Sequence, residues 1–311
     1  MNLQLLIKQY LGYRKTMGWQ DYSESGHLGG FGRFMGADAN IADVSIERVQ
    51  AFLARTGALT STWHTKHTVL RAFYRYAVSR DYVTVPPLPT TVPKRPPRFV
   101  PYIYSREELH RLVQSVDSVR RRNDCCLEPI TMRTILVLLY GAGLRIQEAL
   151  DLDDIDVDLN GSRLTIHQSK FSKTRLVPIG SQLKNVLSLY SSMRVGEKGA
   201  SFFTTRGGRR IKKLVVQEYF RILCQRAHIC RNGGAGQQPR LHDLRHTFAV
   251  HRLTSWYQQG ADVQKLLPHL STYLGHVDIA STQVYLTMTP ELLNEAGNQF
   301  ERYAVEGGRN E

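Results

Sequence analysis

Seven of the twelve prolines fall between Pro86 and Pro101, in the run VPPLPTTVPKRPPRFVP. Proline carries no backbone N–H and has a fixed φ, so this stretch can be neither a helix nor a central strand. A chain of 311 residues interrupted there is long enough to bury a separate core on each side. The expected organisation is a helical domain over 1–85, a basic linker over 86–102 that includes Lys94 and Arg95, and a second domain over 103–311.

Before the linker, apolar residues recur at helical spacing: Leu3, Leu6, Ile7, Tyr10 and Leu11; Phe31, Phe34 and Met35; Ile46, Val49, Phe52 and Leu53; Val69, Leu70, Phe73, Tyr74 and Ala77. These groups predict about four short helices. The last begins after Thr60, Ser61 and Thr62, a plausible N-cap, and carries His64, Lys66, His67, Arg71 and Arg75 beside its apolar face. That distribution suits a helix facing phosphates, although periodicity alone fits an amphipathic helix with a solvated basic side equally well.

The balance of 41 Lys and Arg against 27 Asp and Glu, formally +14, suits a polyanionic partner. No run of 18 or more apolar residues is present, and the start MNLQLLIKQYLGYRK lacks a signal-peptide pattern, so a cytoplasmic protein without a membrane partner is expected. Cys125 and Cys126 are adjacent, and Cys224, His228 and Cys230 lack metal-finger spacing; reduced thiols and no metal or other cofactor are expected.

Past the linker, Ser105 and Glu108 form a capping-box pattern that opens the second domain. ITMRTILVLLYGAG reads as a buried helix stopped by glycines. A new helix follows near Leu144, with Arg145 in its first turn and Glu148 placed to hold the stem of that arginine while its fork points outward. Residues 163–179 alternate as a hairpin with Lys170 and Lys173 at or beside the turn, and VRRRNDCCLEP reads as an added, solvated basic loop. The expected class is mainly α with a small β-hairpin.

A phosphodiester repels nucleophiles, so a metal-free enzyme that attacks one needs cations and hydrogen-bond donors around it and a nucleophile in line. Arg145, Lys170 or Lys173, His242, Arg245, His276 and Tyr285 could supply these groups, with Tyr285 nine residues after His276. His242 and Arg245 are three apart and share a helical face, while Leu241, Leu244 and Phe248 anchor that helix. Tyrosine, with a reference pKa of about 10, must lose its proton as it attacks, and a nearby imidazole such as His242 could take it. Each residue alone has an ordinary structural reading; the order and spacing of the set argue for chemistry.

The set GLRIQEAL, KFSKTRLVPIG, HDLRH and LGHVDIASTQVYLT resembles the tyrosine recombinase, or phage integrase, family over roughly residues 103–303. The resemblance implies a two-domain, C-shaped clamp on DNA. It makes Tyr285 the nucleophile of a 3′-phosphotyrosine intermediate and Lys170 the general acid, with Lys173 a competing candidate, and gives His276 the position that hydrogen-bonds the phosphate or braces the nucleophile, while Arg145 and Arg245 could each present a planar fork to the non-bridging oxygens of the phosphate. It also implies double-stranded DNA with inverted-repeat sites as partner, a tetramer across two synapsed sites and a free monomer. Integration, excision or transposition of a mobile element is the expected role, and Lys66, His67, Arg71, Arg75, Lys94, Arg95 and Lys173 are the expected DNA contacts. Two other readings share the charge and fold: a type IB topoisomerase and a non-catalytic DNA-binding regulator.

The chain departs from the pattern in ADVQKLLPHLSTYL, a few residues longer than in many relatives, which makes His269 a minor rival to His276 and predicts a reshaped turn. After Tyr285, Leu292, Leu293, Ala296, Phe300 and Tyr303 form an apolar stripe on a predicted helix that packs either on its own domain or, as in relatives, on a neighbouring protomer.

Overall fold

The computed structural model describes residues 1–18, 22–54, 61–96, 99–118, 126–169, 173–194, 201–232, 237–288, 290 and 292–297. The chain divides into two compact units, Met1–Arg98 and Phe99–Glu311. It is mainly helical, with one small antiparallel sheet among the described residues.

The first unit is built from α1 (Leu3–Thr16), α2 (Tyr22–Met35), α3 (Ile46–Ala54) and α4 (Ser61–Val78). Asn2 caps α1 by accepting from the Leu5 N–H, as an N-terminal helix end requires. Leu6, Tyr10, Phe31, Phe52, Leu70 and Phe73 meet in a common core. The buried Tyr10 hydroxyl donates to Glu24 at 2.7 Å, so that polar tip in the packing is matched. Leu88 packs on this core too, so the start of the proline-rich stretch belongs with the first unit.

Lys66 corrects the reading of α4. It is buried, its Nζ donating to the Phe52 carbonyl at 3.1 Å and lying over the Phe52 ring. This places it among the core residues and away from solvent, where a phosphate contact would need it. His67 is half-buried and stacked on Trp63, whereas Arg71, Arg75, Lys94 and Arg95 are exposed.

The second unit opens with the predicted capping box: Ser105 N donates to Glu108, and Glu108 N donates to the Ser105 hydroxyl. It contains α5 (Arg106–Ser118), α6 (Pro129–Gly141), α7 (Ile146–Leu150), α8 (Ser181–Met193), α9 (Lys213–Arg226), α10 (Asp243–Gln258), α11 (Val263–Leu274) and α12 (Ala280–Gln283). The apolar α6 is the central support, packed by α5, α8 and α10. Three strands, β1 (Val157–Asp158), β2 (Arg163–Ser169) and β3 (Lys173–Pro178), pair in sequence order.

Strand alternation sends Leu164, Ile166 and Val177 into the core and leaves Leu176 exposed. Arg175, opposite Ile166 and two residues before Val177, therefore also turns inward, where a guanidinium requires an ionic partner.

α11 runs through Pro268, so the longer segment is absorbed in a helix. It stops at Gly275, whose φ of 68° is left-handed. Beyond Tyr285, residues 292–297 are helical, Leu292 is fully buried in the core formed with Phe248 and Leu253, and Gln258 donates to Glu295. The start of the tail thus packs on its own unit; Phe300 and Tyr303 lie outside the described residues.

Candidate active site

Five of the expected catalytic residues converge on one site from four segments. Arg145 is the residue before α7, in extended conformation, with its N–H donating to Glu148 Oε2. His242 caps α10 and Arg245 lies in its first turn. His276 follows the Gly275 stop of α11, and Tyr285 lies in the 3₁₀ turn Val284–Thr287. Lys170 falls outside the described residues, and Lys173 opens β3, its side chain likewise outside the description. His269 is exposed on α11.

The arginines are organised by Glu148. Arg175 Nη2 donates to Glu148 Oε2 at 2.8 Å and its Nη1 to Oε1 at 3.1 Å, the bidentate geometry of a guanidinium on a carboxylate. Arg145 Nη1 reaches Oε1 at 2.7 Å, and Arg245 Nη1 lies 3.9 Å from Oε2. Glu148 therefore grips the end of the Arg145 fork, not only its stem. Burial raises the Glu148 pKa, but Arg175 and then Arg145 outweigh it and hold the carboxyl at about 2.

Two backbone carbonyls complete the setting of Arg245, which is only 2 % exposed. Its Nη1 donates to Gly143 at 2.8 Å and its Nη2 to Leu274 at 2.6 Å. Gly143 has a φ of 60°, and a Cβ there would come within 2.5 Å of the Phe248 ring. At Gly275 a Cβ would come within 2.8 Å of the Arg175 guanidinium. Both glycines admit close approaches that a side chain would block. Burial, then Arg145, lowers the Arg245 pKa to about 10, which leaves the group cationic near neutral pH.

Tyr285 is buried, and burial raises its pKa while Arg245 opposes that rise by charge and by a hydrogen bond. The phenol is therefore neutral at rest. His276 stacks beside it, ring centroids 6.0 Å apart, and shares a 2.7 Å hydrogen bond through Nδ1 with the Thr282 hydroxyl. Burial, then Arg245 and Arg145, pushes His276 down to about 4. His242 is exposed on the open side, while protein around the rest of its ring and then Arg245 hold its pKa below the usual imidazole range.

Three participants were not singled out from the sequence. Arg175 was hidden in the hairpin, though its inward register beside Val177 was a usable signal. Thr282 had none. His246, half-buried between His242 and Tyr285, directly follows Arg245 and lies four residues after His242, one helical turn away.

A buried phenol beside a guanidinium cluster and neutral imidazoles is equipped for phosphoryl transfer to a protein nucleophile. The phage integrase family model matches residues 105–291. A putative integrase/recombinase, y4rB of Sinorhizobium fredii (strain NBRC 101917 / NGR234), is 36% identical over 303 residues, covering 95% of this chain and 96% of that protein. Tyrosine recombinase XerA of Thermococcus kodakarensis (strain ATCC BAA-918 / JCM 12380 / KOD1) is 30% identical over 249 residues, covering 80% and 78%. Among solved structures, the Tn1549 transposon integrase with transposon right end DNA superimposes with a TM-score of 0.69 at 16% identity, over 98% of this chain and 100% of that one. A lambda integrase dimer on a COC′ core site gives 0.66 at 17% identity, over 90% and 96%.

The chain belongs to the phage integrase family, the tyrosine recombinases. It is a DNA-binding enzyme of site-specific recombination.

Proposed function

We propose that this recombinase cuts and rejoins DNA through a covalent 3′-phosphotyrosine on Tyr285. The observation that carries the reading is the burial of Tyr285 against Arg245 and His276, with Arg145 tied to the same cluster. Arg145 and Arg245 offer their forks to the non-bridging oxygens of the scissile phosphate, and His242 and His276 donate to the same group. The phenol oxygen bonds to phosphorus, the bond to the 5′-oxygen breaks, an imidazole takes the phenolic proton, and Lys170 protonates the departing oxygen, with Lys173 its rival. The phosphotyrosine conserves the broken bond, so rejoining needs no nucleotide cofactor and no metal.

The DNA partner is a duplex with inverted-repeat sites. Exposed Arg71, Arg75, Lys94 and Arg95 supply phosphate contacts, with His67 and Lys173 as further candidates. A lambda integrase structure is described as a tetramer bound to a Holliday junction; the same assembly, formed from free monomers, is our reading for this chain. Integration or transposition of a mobile element is supported by the integrase/recombinase name of the relative that matches almost end to end.

The test is a nicked duplex carrying a site that the protein selects from randomised DNA, so that the cleaved end diffuses away. Covalent trapping followed by strand transfer to a second duplex is expected. Trapping with supercoil relaxation but no strand transfer would instead indicate a topoisomerase, and binding without trapping a regulator.

A further inference from the structure

Thr282 is fully buried, and its hydroxyl meets Nδ1 of His276 at 2.7 Å. It sits in α12, three residues before Tyr285, with its backbone N–H donating to the Ile279 carbonyl at 2.8 Å. One short segment therefore carries both the nucleophile and the partner of the imidazole stacked beside it. A threonine hydroxyl has one proton to give and can also accept, so the surroundings decide which atom donates. Among the described residues, His276 is the only hydrogen-bond partner of the Thr282 side chain. Were Nδ1 the donor, the hydroxyl proton would be left buried without an acceptor, which costs free energy. With the hydroxyl as donor, that proton is matched and the ring proton of His276 sits on Nε2.

We propose that Thr282 is a positioning residue for the recombination reaction: by donating to Nδ1 it holds His276 in the tautomer whose Nε2–H serves a non-bridging oxygen of the scissile phosphate. The proposal rests on the reading that His276 donates to that phosphate. A neutral imidazole has one ring proton, and the hydrogen bond made by one nitrogen sets what the other presents. In the opposite tautomer, Nε2 would turn a lone pair toward an anionic oxygen and repel it.

This choice would be idle in an imidazolium, which donates from both nitrogens. Burial, then Arg245 and Arg145, holds the His276 pKa at about 4, so at neutral pH the ring has a single proton to place. The same bond fixes the rotation of the ring that stacks on Tyr285.

Two measurements separate this role from packing. In protein carrying isotope-labelled histidine, the nitrogen chemical shifts of His276, identified by their loss in His276→Gln, are expected to show protonation at Nε2 and a bare Nδ1. In single-turnover cleavage of the selected nicked duplex, Thr282→Val, which keeps the shape and drops the hydroxyl, should be slower by about tenfold or more, the size of one lost hydrogen bond, with DNA affinity unchanged. Thr282→Ser, which restores the hydroxyl without the methyl group, should cut within about threefold of normal. A proton on Nδ1, a valine variant that cuts at the normal rate, or a serine variant as slow as the valine one would each overturn the proposal. If Thr282→Val fails to fold, Thr282→Ala takes its place, and the nitrogen shifts of the unaltered protein decide the tautomer in either case. His276→Gln cutting at a near-normal rate would instead remove the phosphate role of His276, and a covalent adduct persisting in Tyr285→Phe would sink the assignment of the nucleophile.

Discussion

Arg145 donates through Nη2 to the carbonyl of Gly275, 3.3 Å away, and thereby ties the start of α7 to the residue immediately before His276. Arg245 holds the preceding carbonyl, that of Leu274. Successive peptide units at the end of α11 are thus gripped by the two arginines assigned to the phosphate, so the position of His276 depends on both.

Tyr285→Phe should abolish covalent attachment to the nicked duplex while leaving affinity close to normal, because only the hydroxyl is lost. Denaturing electrophoresis after incubation with labelled DNA reads this directly, and a retained adduct would redirect the search to another tyrosine such as Tyr273.

Arg145 and Arg245 should separate by stability. Either alanine variant is expected to cut at least about a hundredfold more slowly. The Arg145 side chain is 31 % exposed, so its removal should leave the melting temperature nearly unchanged. Arg245→Ala strands two carbonyls and part of the charge on Glu148 in the core, and should cost on the order of 3–5 kcal/mol in denaturant unfolding. Equal stability of the two variants would contradict the buried grip on Gly143 and Leu274.

Acid should weaken the catalytic unit in two stages. His246 and His276 fall from 6.5 to about 3 and about 4 in the folded chain, so the unfolded chain takes up these protons first as pH drops. Their contribution is whole above 6.5 and is lost progressively below it. Glu148, lowered from 4.5 to about 2, adds a second loss between those values. Melting curves across this range should show both stages, and Glu148→Gln should flatten the lower one; a melting temperature flat down to about pH 4 would contradict neutral buried imidazoles.

Cleavage should persist in EDTA. No group of His, Cys, Asp or Glu suited to a metal occurs among the described residues, and the guanidiniums occupy the role a Lewis acid would have. A strict requirement for Mg²⁺ in the trapping assay would defeat the proposed chemistry.

The residues that bear directly on the reaction were legible because their spacing is local: His242 and Arg245 share a turn, and His276 precedes Tyr285 by nine residues. What supports them was not, because it depends on pairs far apart in the chain. Glu148 was legible as a neighbour of Arg145, but its bidentate hold on Arg175, 27 residues on, required the sheet to be placed against α7. Lys66 was misread for the opposite reason. Its charge suggested the surface, yet it lies four residues before Leu70 and seven before Phe73, on the helical stripe that faces the core. Position on the stripe decided its fate, helped by a carbonyl within reach of its ammonium.

The arrangement around Glu148 also sets a charge ledger for the reaction itself. Three guanidiniums share one ionised carboxylate, a surplus of two positive charges. A resting phosphodiester carries a single negative charge, whereas the pentacovalent phosphorane on the way to the phosphotyrosine carries two. The surplus on the guanidiniums therefore matches the charge on phosphorus at the summit of the barrier better than at rest, and the site favours the species it must create over the one it first binds.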